Sequence, residues 1–112
     1  INLSLQRLTR FNCILVKKFL QIYYKKSIIY KKPNDLLIEK KKICGILQEK
    51  VKKFDQNFLI VGIGLNLAKN PITNSYKTTN LFELIKKKIP KKKIEKQLKI
   101  IFEQNISKIK RI

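Results

Sequence analysis

Apolar and polar positions alternate most clearly between residues 58 and 67. Extended backbone sends successive side chains to opposite faces. Leu59, Val61, Ile63, Leu65 and Leu67 then form a continuous aliphatic surface suited to a core, while Phe58, Ile60, Gly62, Gly64 and Asn66 take the other side. Residues 36–39 and 43–51 predict two further strands, joined through Lys40-Lys41-Lys42 as a hairpin. Residues 27–30 predict a short strand leading into Pro33, and residues 52–57 a polar turn. Links this short permit antiparallel pairing only. A helical period takes over in residues 10–25, with Thr9 as candidate N-cap. Phe11, Leu15, Phe19, Ile22 and Tyr23 share one side of that helix; Lys17, Lys18, Gln21 and Lys25 share the other. Residues 2–8 read equally as a strand end or a connector. Past a loop over 68–79, Asn80 and Glu83 have the spacing of a capping box. Pro90 suits the first turn of a last helix, with Ile94, Leu98, Ile101, Phe102, Ile106 and Ile109 as its buried stripe. The pattern predicts an α+β domain, an antiparallel sheet with helices packed on one face.

The chain has three glycines, Gly45, Gly62 and Gly64, and all lie inside apolar strand-like segments. Glycine weakens a strand, so its presence there marks a bulge or the close approach of a ligand or another backbone. On the 58–67 strand two glycines and Asn66 leave a bare floor ending in one amide, a surface fit for a flat ligand. A helix crossing at the glycines is the alternative, and spacing alone does not decide between them.

Three motifs in order carry a resemblance: Lys31-Lys32-Pro33-Asn34-Asp35, then Lys42-Ile43-Cys44-Gly45-Ile46-Leu47, then Gly62-Ile63-Gly64-Leu65-Asn66. Together they resemble the central part of biotin–protein ligase catalytic domains, which carry Lys-Trp-Pro-Asn-Asp, Lys-x-x-Gly-Ile-Leu and Gly-x-Gly-x-Asn segments at matching intervals. Lys32 stands where that family has tryptophan. Thr79-Asn80-Leu81 is a near match to a Thr-Ser-Leu segment that starts a helix there. The resemblance implies a class II aminoacyl-tRNA synthetase-like fold. Residues 1–112 would form part of the catalytic domain, without its upstream Gly-Arg-rich loop and Ser-Thr segment or the small SH3-like β-barrel that commonly follows.

The implied reaction activates biotin with ATP and Mg²⁺ to biotinyl-5′-AMP, then passes the acyl group to a lysine of a biotin carboxyl carrier protein. By resemblance, Lys42 is the cation between carboxylate and phosphate, and Asp35 meets the incoming acceptor lysine. Asn34, Gly45, Ile46, Gly62, Gly64 and Asn66 would bind biotin and ATP. Chemistry alone leaves Lys40 and Lys41 as eligible as Lys42, makes Asn34 and Asp35 plain turn-formers, and makes Asn66 a strand-end cap. Strict alternation would also put Lys42 and Gly45 on opposite faces of their strand; a bulge, or Lys42 lying in the turn, would remove that conflict.

Composition narrows the alternatives. A chain of 112 residues is one domain at most. It begins at Ile1 and has no Met, as expected of part of a longer protein. Absence of His excludes histidine catalysis and His-ligated metals. Cys13 and Cys44 lack metal-ligand spacing and fit a reducing cytoplasm, Cys44 as a small buried apolar residue. No apolar run approaches a membrane span. The formal net charge is +20, yet Arg7, Arg10 and Arg111 are the only arginines. Dedicated nucleic-acid surfaces mix in arginine for bidentate readout. The runner-up, a small basic RNA- or ribosome-associated binding protein, would gather its cations on one face, whereas lysines here occupy turns and helix backs alike. Nucleic-acid attraction should be non-specific and fade with salt. A non-catalytic remnant that binds a partner domain is a third reading, and homodimerisation stays open.

Overall fold

A computed structural model describes residues 4–109, with the elements α1 (Leu5–Leu20), β1 (Ile29–Lys31), β2 (Asp35–Ile38), β3 (Lys41–Lys53), β4 (Gln56–Leu65), α2 (Leu81–Ile85) and α3 (Lys91–Ile109). The four strands form one sheet in the order β1-β2-β3-β4, antiparallel throughout. Helix α1 packs on β2 and β3, and α3 packs on α1. The core lies between sheet and helices: Val16, Phe19 and Leu20 of α1 meet Leu36 and Ile38 of β2 and Ile43, Cys44 and Ile46 of β3, all fully buried. The expected α+β architecture is the observed one.

The β2–β3 and β3–β4 hairpins each turn on two residues with positive φ, Glu39 and Lys40 (51° and 65°) and Phe54 and Asp55 (52° and 59°). Left-handed pairs of this kind match the twist of the flanking strands. The first turn is therefore tighter than the sequence pattern suggested, and Lys41 and Lys42 belong to β3. Leu36 pairs with Cys44 but Leu37 pairs with Lys42, which leaves Ile43 as the extra residue of a β-bulge. Ile43 and Cys44 are consecutive and both buried. That break in alternation carries Lys42 to the face of Gly45 and removes the conflict of strict alternation.

Helix α1 begins earlier than predicted. Ser4, not Thr9, is the N-cap: its side chain accepts from the Arg7 N–H at 3.2 Å, while the Thr9 hydroxyl donates back to the Leu5 carbonyl at 2.7 Å. Residues 5–8 are helix, and residues 2 and 3 lie outside the described residues. The helix ends at Leu20, so Ile22 is 45% exposed instead of lying in the buried stripe. Polar Thr9 and Asn12 are buried on the inner face, where Asn12 Nδ2 donates to Gln48 Oε1 and Gln48 Nε2 to Thr9 Oγ1. Asn80 caps α2 by accepting from the Glu83 N–H at 2.7 Å. Pro90 sits one residue ahead of α3, its carbonyl accepting from Lys93 and Ile94. Ile94 is buried, and Leu98, Ile101 and Phe102 pack on the core; the side chains of Ile106 and Ile109 lie outside the described residues.

Candidate active site

The face of the sheet away from the helices holds the site. In β4 the odd-numbered residues from Leu59 to Leu65 are half-buried, whereas Phe58, Ile60, Gly62 and Gly64 are exposed, as alternation predicted. Gly45 pairs with Gly64 and Leu47 with Gly62. A Cβ on Gly62 or Gly64 would meet only a carbonyl oxygen at 3.6 Å, an ordinary contact. No helix crosses there among the described residues, and the glycines leave an open floor.

Asp35 pairs with Gly45 across β2 and β3, and the Ile43 bulge returns Lys42 to the same spot. Lys42 Nζ lies 3.2 Å from Asp35 Oδ1, with the two side chains 25% and 24% exposed. Gly45 makes room for this: a Cβ there would stand 3.1 Å from Lys42 Nζ. The Lys42 backbone is held on its other side, its N–H donating to the Lys77 carbonyl and its carbonyl accepting from the Thr79 N–H, both at 2.9 Å. Lys42 thus bridges in parallel to Thr78, and the 68–79 loop closes against β3. The loop also brings Tyr76, whose ring centroid lies 5.1 Å from Lys42 Nζ. Partial burial alone pulls the Lys42 ammonium down, but the bond to Asp35 and that carboxylate's charge, with Tyr76 adding, hold it above the usual lysine range.

Asn66 closes the end of the floor. Its N–H donates to the Ile43 carbonyl at 3.0 Å, so the bulge is locked from β4 as well. Its Nδ2 donates to the carbonyls of Thr79 (3.1 Å) and Lys42 (3.4 Å), and its own carbonyl accepts from the Leu81 N–H. Both amide hydrogens are thereby committed to bracing, which leaves the side-chain oxygen as the group's acceptor. Lys42, Gly45, Gly64, Asn66, Pro71, Tyr76 and Thr78 line a cleft of about 310 Å³.

The structure therefore gathers Asp35, Lys42, Gly45, Gly64 and Asn66, with Gly62 beside them on the same face. Ile46 is not brought to that face; it is fully buried in the core, and its N–H donates to the Asn34 carbonyl at 2.9 Å. Asn34 acts through its backbone here and lies outside the cleft lining. The three adjacent lysines separate: Lys40 occupies the hairpin turn, Lys41 lines another cleft with Tyr24 and Glu83, and Lys42 alone of the three reaches the glycine floor. Pro71, Tyr76 and Thr78 were not anticipated, although Tyr76 is the sole aromatic residue of the 68–79 loop. Burial pushes the Cys44 thiol up to about 12 and Cys13 to about 11, with the Asp35 charge acting in the same direction on both, so neither is a ready nucleophile. Among the described residues no group of three or more His, Cys, Asp or Glu side chains could hold a metal ion. No described helix is long and apolar enough to cross a membrane.

Comparison with solved structures finds biotin protein ligase from Aquifex aeolicus in complex with biotin and ATP, at 27% identity and a TM-score of 0.78 over 99% of this chain and 47% of that one. The apo form of the Aquifex aeolicus enzyme matches at 28% identity and a TM-score of 0.76, over 96% of this chain and 48% of that one. The Plasmodium falciparum protein LipL1 in complex with lipoate shares the fold, at 20% identity and a TM-score of 0.61 over 93% of this chain and 33% of that one. The chain thus spans about half the length of the bacterial ligases it matches. No curated protein is a significant sequence match. The family model for biotin/lipoate A/B protein ligases matches residues 6–66, which reach from α1 through the glycine floor to Asn66. On that match over more than half of its length, the chain belongs to the biotin/lipoate A/B protein ligase family.

Proposed function

We propose that this chain supplies the lysine-bearing half of a biotin–protein ligase active site. The observation that carries the reading is Lys42 Nζ, held by Asp35 over Gly45 at the mouth of the glycine-floored cleft. In the first step a carboxylate oxygen of biotin bonds to the α-phosphorus of ATP and pyrophosphate leaves. Two anions crowd before that bond forms, so a fixed ammonium between them stabilises the transition state more than the separated reactants. The open strand face beside Gly45, Gly62 and Gly64 suits the flat acyl-adenylate, and the Asn66 side-chain oxygen suits a ribose hydroxyl or a metal-linked water. The residues present fit only part of a Mg²⁺–nucleotide site, since no carboxylate is among the described residues that line the cleft and Asp35, beside Lys42, is paired with it. In the second step the acceptor lysine nitrogen of a carrier-protein domain bonds to the acyl carbon and AMP leaves. Asp35 orients the incoming ammonium and helps take its proton.

Lipoate carries the same carboxylate and would pass through the same chemistry, which makes lipoylation the second reading; the biotin ligases that match at 27–28% identity favour biotin. The test is pyrophosphate release from ATP and Mg²⁺ in a protein with the whole catalytic domain, given biotin, lipoate or neither. Biotin-dependent release that Lys42→Gln abolishes supports the reading. Lipoate-dependent release alone would move it to the second, and release indifferent to Lys42→Gln would overturn it.

A further inference from the structure

Among three consecutive lysines, what distinguishes Lys42 physically is its company. Asp35 holds Nζ from the β2 side, and the Tyr76 ring stands 5.1 Å away on the loop side. The geometry points to Tyr76 as a positioning residue for Lys42: its ring face confines the ammonium over Gly45, at the mouth of the cleft. This rests on the proposed role of Lys42 and adds a residue to it.

Three observations support the assignment. Gly45 has no side chain, so Lys42 Nζ can lie across it, and nothing on that strand position would stop the chain from swinging into solvent. The Asp35 contact is a single 3.2 Å approach to one carboxylate oxygen, which restrains distance more than direction. An aromatic face attracts a cation electrostatically, through its negative quadrupole, and fixes the direction the carboxylate leaves free. The loop itself is anchored on either side of Tyr76: Asn70 Nδ2 donates to the Thr78 carbonyl at 3.3 Å, and Lys77 and Thr79 bond the Lys42 backbone. The ring is therefore carried by the same short segment that holds the Lys42 main chain. Tyr76 also raises the Lys42 pKa alongside Asp35, an effect of its hydroxyl end that adds to the ring contact. The ring is 46% exposed, so it is not there to fill the core.

When biotin and ATP arrive, their anions compete with Asp35 for Nζ. A ring beside the ammonium keeps it at the cleft mouth during that exchange, and the ring's share of this role does not require the tyrosine hydroxyl. Tyr76→Phe should therefore preserve it and Tyr76→Leu should remove it.

The experiment uses ¹³C-lysine-labelled protein without any ligand, with the Lys42 signal assigned through Lys42→Arg. A ring held near Nζ shifts the Lys42 ε-CH₂ resonance away from those of the solvent-exposed lysines. That displacement should persist in Tyr76→Phe and collapse to the common lysine position in Tyr76→Leu. Hydrogen exchange at the Lys42 N–H, which donates to the Lys77 carbonyl, reports whether the loop is still docked. In a protein with the whole catalytic domain, Tyr76→Leu should lower kcat for pyrophosphate release by about two- to fivefold, the scale of an exposed cation–π contact. KM should move little, and Tyr76→Phe should restore kcat. A Lys42 signal at the common lysine position in the unmutated protein overturns the assignment without touching the proposed reaction. So does a Tyr76→Leu protein that keeps the displaced signal. An intact displacement with no pyrophosphate release from the unmutated protein would instead sink the proposed reaction.

Discussion

The two ends of the β3–β4 hairpin share the same strands and the same open face, yet differ in almost every physical respect. Towards the 54–55 turn β3 meets only β4, in a regular ladder that runs through ten consecutive partners from Lys53–Gln56 to Cys44–Leu65 with no shift. There the open face carries large apolar side chains, Phe58 and Ile60, 48% and 51% exposed. At the other end the register of β3 with β2 breaks at Ile43, the β4 side chains on the open face shrink to glycine, and a loop folds back against Lys42. A regular ladder fixes side chains two by two on alternate faces and cannot bring residues three apart together. The bulge does that for Lys42 and Gly45, and with Asp35 across the sheet it builds a charged site on a bare floor. Irregular backbone here is how the chain brings Lys42, Gly45 and Asp35 together.

The largest effect should come from the cation. Lys42→Gln is expected to slow adenylate formation about a hundredfold or more, the scale of losing one transition-state contact. Lys52→Gln at the regular end, and Lys40→Gln in the turn, should leave that rate within about twofold, as exposed charges do. Pyrophosphate release without acceptor measures both; equal losses would erase the distinction between the ends.

Asp35→Asn should act mainly on the second step, slowing transfer by about ten- to a hundredfold. In the proposed reaction the substrate anions take over from Asp35 as partners of Lys42. Adenylate formation should then fall less than transfer. Raising the pH should relieve the transfer defect, since a larger fraction of the acceptor amine is then neutral. Single-turnover transfer from preformed adenylate is the measurement. Equal damage to both steps would mean that Asp35 serves only to hold the bulged hairpin.

Gly64→Val separates stability from binding. Its Cβ would meet no atom nearer than 3.6 Å, and valine favours strands by up to about 1 kcal/mol over glycine. Melting temperature should therefore hold or rise while affinity for a biotinyl-adenylate analogue falls about tenfold, in line with a steric penalty of about 1–3 kcal/mol. Ile60→Thr, on the same face at the regular end, should leave affinity unchanged. Calorimetry and titration decide the matter, and a destabilised Gly64→Val protein would mean the glycine serves packing.

The smallest effect concerns the two thiols. Burial raises their folded pKa values, so the protonated form is favoured by folding; the associated stability is present below the ordinary thiol value of 9.0 and is lost as pH climbs towards about 11 for Cys13 and about 12 for Cys44. Alkylation at pH 8 should be slow and should proceed at the rate of unfolding. Rapid labelling of native protein would place a thiol at the surface.

Much of this was legible in advance, for definite reasons. The period-2 pattern of β4 exposes its faces because one side is buried and the other is not. The hairpin lengths left antiparallel pairing as the only arrangement. What was not legible depended on contacts between distant residues. Thr9 has the composition of an N-cap, but Ser4 holds the position and Thr9 turns inward to Gln48. Asn66 reads from sequence as a ligand group or a cap, and its side-chain amide braces β3 against the end of the 68–79 loop. The choice among Lys40, Lys41 and Lys42 could not be made from composition, since the bulge and the loop that bring Lys42 alone of the three to the glycine floor arise from pairing. Tyr76, thirty-four positions beyond Lys42 in the chain, is brought beside it only by the parallel bridge at Thr78.

The central claim is that Lys42, and neither neighbour, meets the ligand's anionic centre on the glycine floor. Lysine ¹⁵Nζ spectra recorded with and without a non-hydrolysable biotinyl-adenylate analogue test it most directly. The account predicts a large shift and slowed hydrogen exchange at Lys42 Nζ, with Lys40 and Lys41 unmoved and the Gly45 and Gly64 amides shifting in parallel. A ligand-induced change at Lys40 or Lys41 with Lys42 still paired to Asp35 would contradict it.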